Sequence, residues 1–219
     1  MIKNLKTYAV AALVAGAPIS ASAQDWSGFY GGLTAAYAWH DSTHTFSNGA
    51  PTGNSDAEGR LLGAFVGYAR QSGTMVYGVE MDADISDASG SFINPAGATS
   101  GGAAELNWQS SIRGVLGYAG QMFNTPTLFY GTLGYAYGDF DFTGGPAAAA
   151  TNRYSDELDG WTVGVGMDAR LTARSSLRVE YRYTDYGTAR GALAPAFPGV
   201  VMPVSVEQHA LRVGLRIEF

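Results

Sequence analysis

Residues 161–171 read WTVGVGMDARL and alternate at every step. Trp161, Val163, Val165, Met167, Ala169 and Leu171 fall on one face, while Thr162, Gly164, Gly166, Asp168 and Arg170 fall on the other. A period of two belongs to a strand with one apolar face. The next segment repeats the pattern, with Leu177, Val179, Tyr181 and Tyr183 opposing Arg178, Glu180, Arg182 and Thr184. The C-terminus does so again: Leu211, Val213, Leu215, Ile217 and Phe219 oppose Arg212, Gly214, Arg216 and Glu218. Upstream, Tyr77, Val79, Met81, Ala83 and Ile85 alternate with Gly78, Glu80, Asp82 and Asp84.

Four further segments carry the same signal less sharply. Phe29, Leu33, Tyr37 and Trp39 share a face in the first, and Leu62, Ala64, Val66 and Tyr68 in the second. Trp108, Ile112, Leu116 and Tyr118 oppose Gln109, Ser111, Arg113 and Val115 in the third. The fourth, 128–138, is rich in both aromatics and glycines, and Phe129, Leu133, Tyr135 and Tyr137 are assigned outward. The pattern predicts eight strands at 26–40, 58–70, 75–86, 105–119, 127–140, 158–172, 175–186 and 204–219. Short connections near 71–74, 120–126 and 172–174 alternate with long ones at 41–57, 87–104, 141–157 and 187–203. Short turns at one end and long loops at the other fit an all-β, eight-stranded antiparallel up-and-down transmembrane β-barrel.

Two features point the apolar face outward. Small residues crowd between the charges, as at Thr162, Gly164 and Gly166, and a narrow barrel interior needs such room where a solvated face does not. The charges on these faces also balance. Glu80, Asp82, Asp84, Asp168, Glu180 and Glu218 face Arg113, Arg170, Arg178, Arg182, Arg212 and Arg216, six against six. A buried lumen requires that pairing, because an unpaired buried charge costs several kcal/mol. These twelve are expected to form a structural network that fills the lumen. The carboxylates could alternatively line a cation path, which is the small-pore reading.

Composition agrees. Only 15% of residues are charged, against about 25% in a soluble domain. No run of about 18 apolar residues follows the N-terminus, so a helical span is excluded. Cysteine is absent, which excludes disulfides, thiolate metal sites and Cys nucleophiles. Lys3 and Lys6, the apolar 8–17 stretch and Ala21-Ser22-Ala23 form a secretory signal with an A-x-A cleavage site. Residues 1–23 are therefore expected to be a signal peptide and 24–219 the barrel domain. Both lysines lie in that leader, so the remainder holds eleven Arg against nineteen acidic residues, a net charge of −8. No basic stripe remains for nucleic acid.

Aromatics sort by height. Tyr37, Trp39, Trp108, Tyr135, Tyr137, Trp161 and Tyr183 fall near the long loops, and Trp26, Phe29, Tyr68, Tyr77, Tyr118, Phe129 and Phe219 near the short turns. Two girdles at the two interfaces suit amphipathic rings.

Three stretches carry a family resemblance. DWSGFYGGLTAAYAW at 25–39, RVEYRYTDYG at 178–187 and HALRVGLRIEF at 209–219 resemble small alphaproteobacterial outer-membrane β-barrel proteins. That group is loosely called the porin family, or opacity-type surface antigens. The resemblance implies a monomer in the outer membrane of a Gram-negative cell, exposed loops, and no enzymatic activity. Leu215, Ile217 and Phe219 resemble the C-terminal signal that such proteins present to the barrel-assembly machinery. The other expected partners are outer-membrane lipids, lipopolysaccharide, and an unidentified extracellular contact through the loops.

Candidate chemistry is thin. His40, Asp41, Ser42 and His44 group near the first long loop, where a Ser–His–acid set could act on lipid A. His40, His44 and His209 could hold a metal or haem if the loops converge. Glu207 near His209 suggests a rim ion pair instead. No cofactor is expected. The role that follows is a structural, surface-exposed interaction barrel in the cell envelope. The alternatives are a small pore, a lipid A-modifying enzyme, and a haem or lipid binder at the rim.

Overall fold

The computed structural model describes residues 25–44, 53–93, 100–146, 152–192 and 201–219. The expected leader, 1–23, lies outside them. The strands are β1 (Gly28–His44), β2 (Gly53–Ser72), β3 (Met75–Ser86), β4 (Ser89–Ile93), β5 (Ser100–Met122), β6 (Thr125–Pro146), β7 (Asn152–Arg170), β8 (Ser175–Ala192) and β9 (Val201–Glu218). All pairings are antiparallel. β3 and β4 occupy one position in the ring, since each pairs with β2 on one side and β5 on the other. β1 pairs with both β2 and β9, which closes an eight-membered barrel. Closure removes every sheet edge, the condition for strands to cross a bilayer.

The facing follows the period-two pattern. Leu33 is 70% exposed, Val165 61% and Ile85 68%, although all sit within regular strands. A belt of large apolar side chains pointing away from the interior needs lipid around it. In β6 the outward set is Phe129, Leu133 and Tyr135, with Leu128 and Tyr130 buried inside.

The strands run past the expected boundaries. β6 reaches Pro146 and β7 begins at Asn152, so most of the expected 141–157 loop is a two-stranded extension. β1 and β2 likewise pair as far as His44 and Gly53. These extensions, DSTH at 41–44, GNSDA at 53–57, DFTGGP at 141–146 and NRYSDE at 152–157, are mostly polar on both faces, so they continue the backbone ladder without the apolar contrast that marks a strand. Two register shifts also reset the alternation. One at Leu106/Trp108 leaves Asn107 and Trp108 both exposed, and another falls between Asp185 and Thr188.

The short turns are tight. Phe123 and Asn124 both have positive φ, at 49° and 64°, as a two-residue type I′ hairpin demands. At that same end, Trp26 corrects the expected lower girdle. It is 1% exposed and lies inside the barrel, not on the lipid side. It precedes β1, so strand alternation does not govern it. Its N–H donates to Gln71 Oε1 at 2.9 Å, and the Gln71 N–H donates to Ser27 Oγ at 2.9 Å, which tucks 25–27 under the mouth.

Candidate functional site: the layered lumen

The interior is built in three layers. Around the short-turn end lie Trp26, Tyr30, Phe65, Val76, Leu128 and Tyr130. At the long-loop end lie Leu61, Phe140, Phe142, Leu158, Tyr186 and Val206. Sequence reasoning missed both apolar layers, because it assigned every apolar run to the lipid side. Between them sits a belt of charge.

Alternation delivers the charged side chains in rows. Glu80, Asp82 and Asp84 project inward from β3, Arg178, Glu180 and Arg182 from β8, Arg212 and Arg216 from β9, and Asp168 and Arg170 from β7. Arg113 enters from β5 and is 1% exposed. Its guanidinium donates to Glu80 Oε1 at 2.6 Å, Asp82 Oδ2 at 3.2 Å, Glu180 Oε1 at 2.9 Å and Thr132 Oγ1 at 3.2 Å. One planar donor fork thus ties β3, β6 and β8 together across the barrel.

The remaining pairs extend from this centre. Arg182 donates to Glu180 Oε1 and Asp82 Oδ1, both at 2.9 Å. Arg178 forks onto Asp168 at 2.9 and 3.0 Å and reaches Glu80 Oε2 at 2.8 Å. Arg212 forks onto Asp84 at 2.7 and 2.8 Å. Arg216 meets Asp168 at 3.0 Å and Glu218 at 3.3 Å, and Arg170 meets Glu218 at 2.6 Å. Ten of the twelve charged residues named from the sequence therefore lie in one connected set, and Arg212 and Asp84 form a separate pair beside it. Bidentate forks of this kind are what make burial of so many charges tolerable.

Neutral partners complete the belt. Ser111 Oγ donates to Asp82 at 2.6 Å, Gln109 Nε2 to Asp84 at 2.8 Å, and Tyr130 Oη to Glu180 at 3.0 Å. Below the belt, the Arg178 guanidinium lies 4.2 Å from the Phe65 ring centre, Arg216 3.9 Å from Tyr30, and Arg170 3.9 Å from Trp26. Cations stacked on rings join the charged layer to the aromatic one. Gly67 and Gly166 make room for those rings. A Cβ on Gly67 would stand 2.4 Å from Tyr30 Cζ, and one on Gly166 2.7 Å from Tyr130 Cζ. The parity of Tyr30, Phe65 and Tyr130 within their strands was the available signal for this layer.

The histidine candidates are not brought together. His40 is 3% exposed inside the barrel, with Nε2 2.8 Å from Gln208 Nε2. His209 is on the outer face, stacked on Trp39 at 5.9 Å, and its Nδ1 is 2.7 Å from Tyr181 Oη. That contact replaces the expected ion pair with Glu207. Adjacent strands thus hold the two imidazoles on opposite faces of the sheet. The side chains of Asp41, Ser42 and His44 lie outside the described residues. Among the described residues, no group of three or more His, Cys, Asp or Glu is placed to hold a metal ion.

Outside, the two aromatic bands hold apart from Trp26. Tyr37, Trp108, Tyr135 and Trp161 are exposed at the long-loop end, and Phe29, Tyr68, Tyr77 and Tyr118 at the other. The Tyr135 hydroxyl donates to Asp159 on the neighbouring strand.

The family described as "Outer membrane protein beta-barrel domain" matches residues 9–219. The 22 kDa outer membrane protein of Rhizobium leguminosarum is 33% identical over 167 residues, 75% of this chain and 66% of that one. The 31 kDa outer-membrane immunogenic protein of Brucella melitensis is 31% identical over 207 residues, 89% of this chain and 84% of that protein. Among solved structures, the outer membrane protein OprG from Pseudomonas aeruginosa superposes with a TM-score of 0.60 at 18% identity. That match covers 90% of this chain and 98% of the OprG chain.

Proposed function

The chain belongs to the outer membrane protein beta-barrel domain family, and from that premise we propose a non-catalytic role as a sealed barrel that presents its loops at the cell surface. The protein sits in the outer membrane. The observation that carries the reading is the Arg113 cluster, in which one guanidinium bridges three carboxylates across the lumen. A pore needs an aqueous thread, and eight strands enclose an interior that side chains just fill. Apolar layers above and below the belt oppose hydration of such a thread. The separation of His40 from His209 across the sheet weighs against a catalytic or metal-binding rim.

The partners follow from the outside surface. Lipopolysaccharide would meet the long-loop girdle, and inner-leaflet lipid the short-turn girdle. Leu215 and Ile217 project outward on β9 and Phe219 is exposed just past its end, where the assembly machinery would read them. The names of the Brucella relatives as immunogenic support loops that face outward.

Planar-bilayer recording of the refolded protein tests the role. The sealed reading expects no steady conductance, and reproducible unitary steps would replace it with the small pore.

A further inference from the structure

One outward feature of the barrel has no role in the lumen. A groove of about 1120 Å³ runs across the outer faces of β2, β3, β5, β6 and β7. Its floor is Gly114 on β5 and Gly131 on β6. Register places them diagonally: Gly114 opposes Leu133, and Leu116 opposes Gly131.

Packing does not require glycine at either position. A Cβ on Gly114 would meet only Leu133 O at 3.7 Å, and one on Gly131 only Gly164 O at 3.8 Å, both ordinary contacts. Neither has a positive φ. By contrast, a Cβ on inward-facing Gly63 would fall 2.0 Å from Asp84 Oδ1. Glycine within a strand costs stability and adds no side chain to pack. Two such positions side by side keep a depression open in an otherwise filled lipid face.

A cation stands at one end of this depression. Arg70 lines it, is exposed on the outward face of β2, and lies close to the turn at Gly73. No carboxylate pairs with Arg70 among the described residues. Tyr77 opposes it across β2 and β3, and Tyr68 lies two residues before it on the same outward face. The cross-strand row then passes from Tyr77 to Leu116, Gly131 and Val165. Gly131 lies further from its own turn at Phe123–Asn124 than Arg70 does from its turn, so the groove rises toward the membrane centre.

We propose that this groove is a binding site for an inner-leaflet anionic phospholipid. Its phosphodiester would lie on Arg70, and one acyl chain would lie over Gly114 and Gly131. Charge complementarity selects the occupant. A guanidinium at headgroup height, with no carboxylate partner among the described residues, offers two parallel N–H donors to phosphate oxygens. Short turns face the periplasm in this architecture, which puts Arg70 at the phospholipid leaflet and not at the lipopolysaccharide one.

Native mass spectrometry of the detergent-solubilised, folded barrel tests this, with phosphatidylglycerol or phosphatidylcholine added. Folding of each variant is checked by heat-shifted gel migration. One phosphatidylglycerol retained by the wild type, and phosphatidylcholine lost more readily, is the expected result. Arg70→Gln should weaken retention about fivefold, the worth of one Arg at a lipid surface. Gly131→Leu and Gly114→Leu fill the floor and should release the lipid with Arg70 intact, while Arg174→Gln, in the turn before β8, should change nothing. Lipid held equally by Arg70→Gln, or equally by both filled-groove variants, would overturn the site. So would equal retention of the two lipids, or no retained lipid on the wild type.

Discussion

Arg113 and Glu180 are 67 residues apart in the chain and 2.9 Å apart in the lumen. Their contact ties β5 to β8, which are not neighbours in the sheet. Backbone ladders hold each strand to the next, whereas this pair and its relatives hold opposite walls together. The barrel is thereby braced across its diameter by charge, between two apolar layers.

Removing the brace should be costly. Arg113→Ala leaves Glu80, Asp82 and Glu180 with Arg178 and Arg182 alone, an excess carboxylate in a buried site. The expected loss is about 3–5 kcal/mol in urea unfolding from lipid vesicles. Adding Glu80→Gln removes the surplus charge and should recover part of that loss, because coupled sites are not additive. A double variant no better than the single would mean that Arg113 acts through packing alone.

The two faces should answer oppositely to a new charge. Val165 is 61% exposed toward lipid in the middle of β7, so Val165→Arg should cost about 2–4 kcal/mol in the same assay. Refolding of Val165→Arg at wild-type denaturant concentrations would invert the assignment of faces.

The alternation that exposed Val165 was legible because polar and apolar residues differ sharply at every step of 161–171. The same contrast put all twelve charged residues on inward faces without any coordinates. It fails where the two faces differ little in polarity, which is why β6 reads as ending well before Pro146 and β7 as beginning well after Asn152. It fails again at a bulge: Leu106 and Gln109 both point inward despite opposite parity, because Asn107 is extra. Trp26 was misread for a third reason, since a residue outside a strand inherits no facing from its neighbours.

The strand extensions alter what can be trimmed. Cutting all of 41–57 and 141–157 would delete Ala57 and Phe142, which are 5% and 1% exposed within the barrel. Such a variant should lose its heat-shifted folded band or migrate as a mixture. Replacing only 45–52 with a two-residue turn keeps the His44–Gly53 pair, and should leave the band intact. Equal behaviour of the two trims would remove the upper apolar layer as a source of stability.

Room for the lower aromatic layer should be just as exacting. Gly166→Ala sets a methyl 2.7 Å from the Tyr130 ring and 2.7 Å from Val179 O, so it should cost about 1–3 kcal/mol by overpacking. Adding Tyr130→Leu relieves the ring contact and should restore part of the loss. An unchanged unfolding midpoint for Gly166→Ala would show that Tyr130 has space to move.

Trp26 closes the periplasmic end, so its removal should be felt in both stability and permeability. Its ring lies under Arg170 at 3.9 Å and Arg216 at 5.2 Å, and the Arg170 guanidinium also donates to Asp25 O at 3.2 Å. Trp26→Ala takes away a fully buried ring and leaves two guanidinium faces uncovered, at an expected cost of about 3–5 kcal/mol. Trp26→Phe keeps an aromatic face over Arg170 and should retain most of the stability. With the plug gone, the charged belt and the upper apolar layer remain as barriers, and brief ion steps should appear in planar bilayers for Trp26→Ala. Combining it with Arg113→Ala should lengthen those steps. A silent Trp26→Ala barrel with wild-type stability would make residues 25–27 a passenger beneath a lumen that the charge network seals alone.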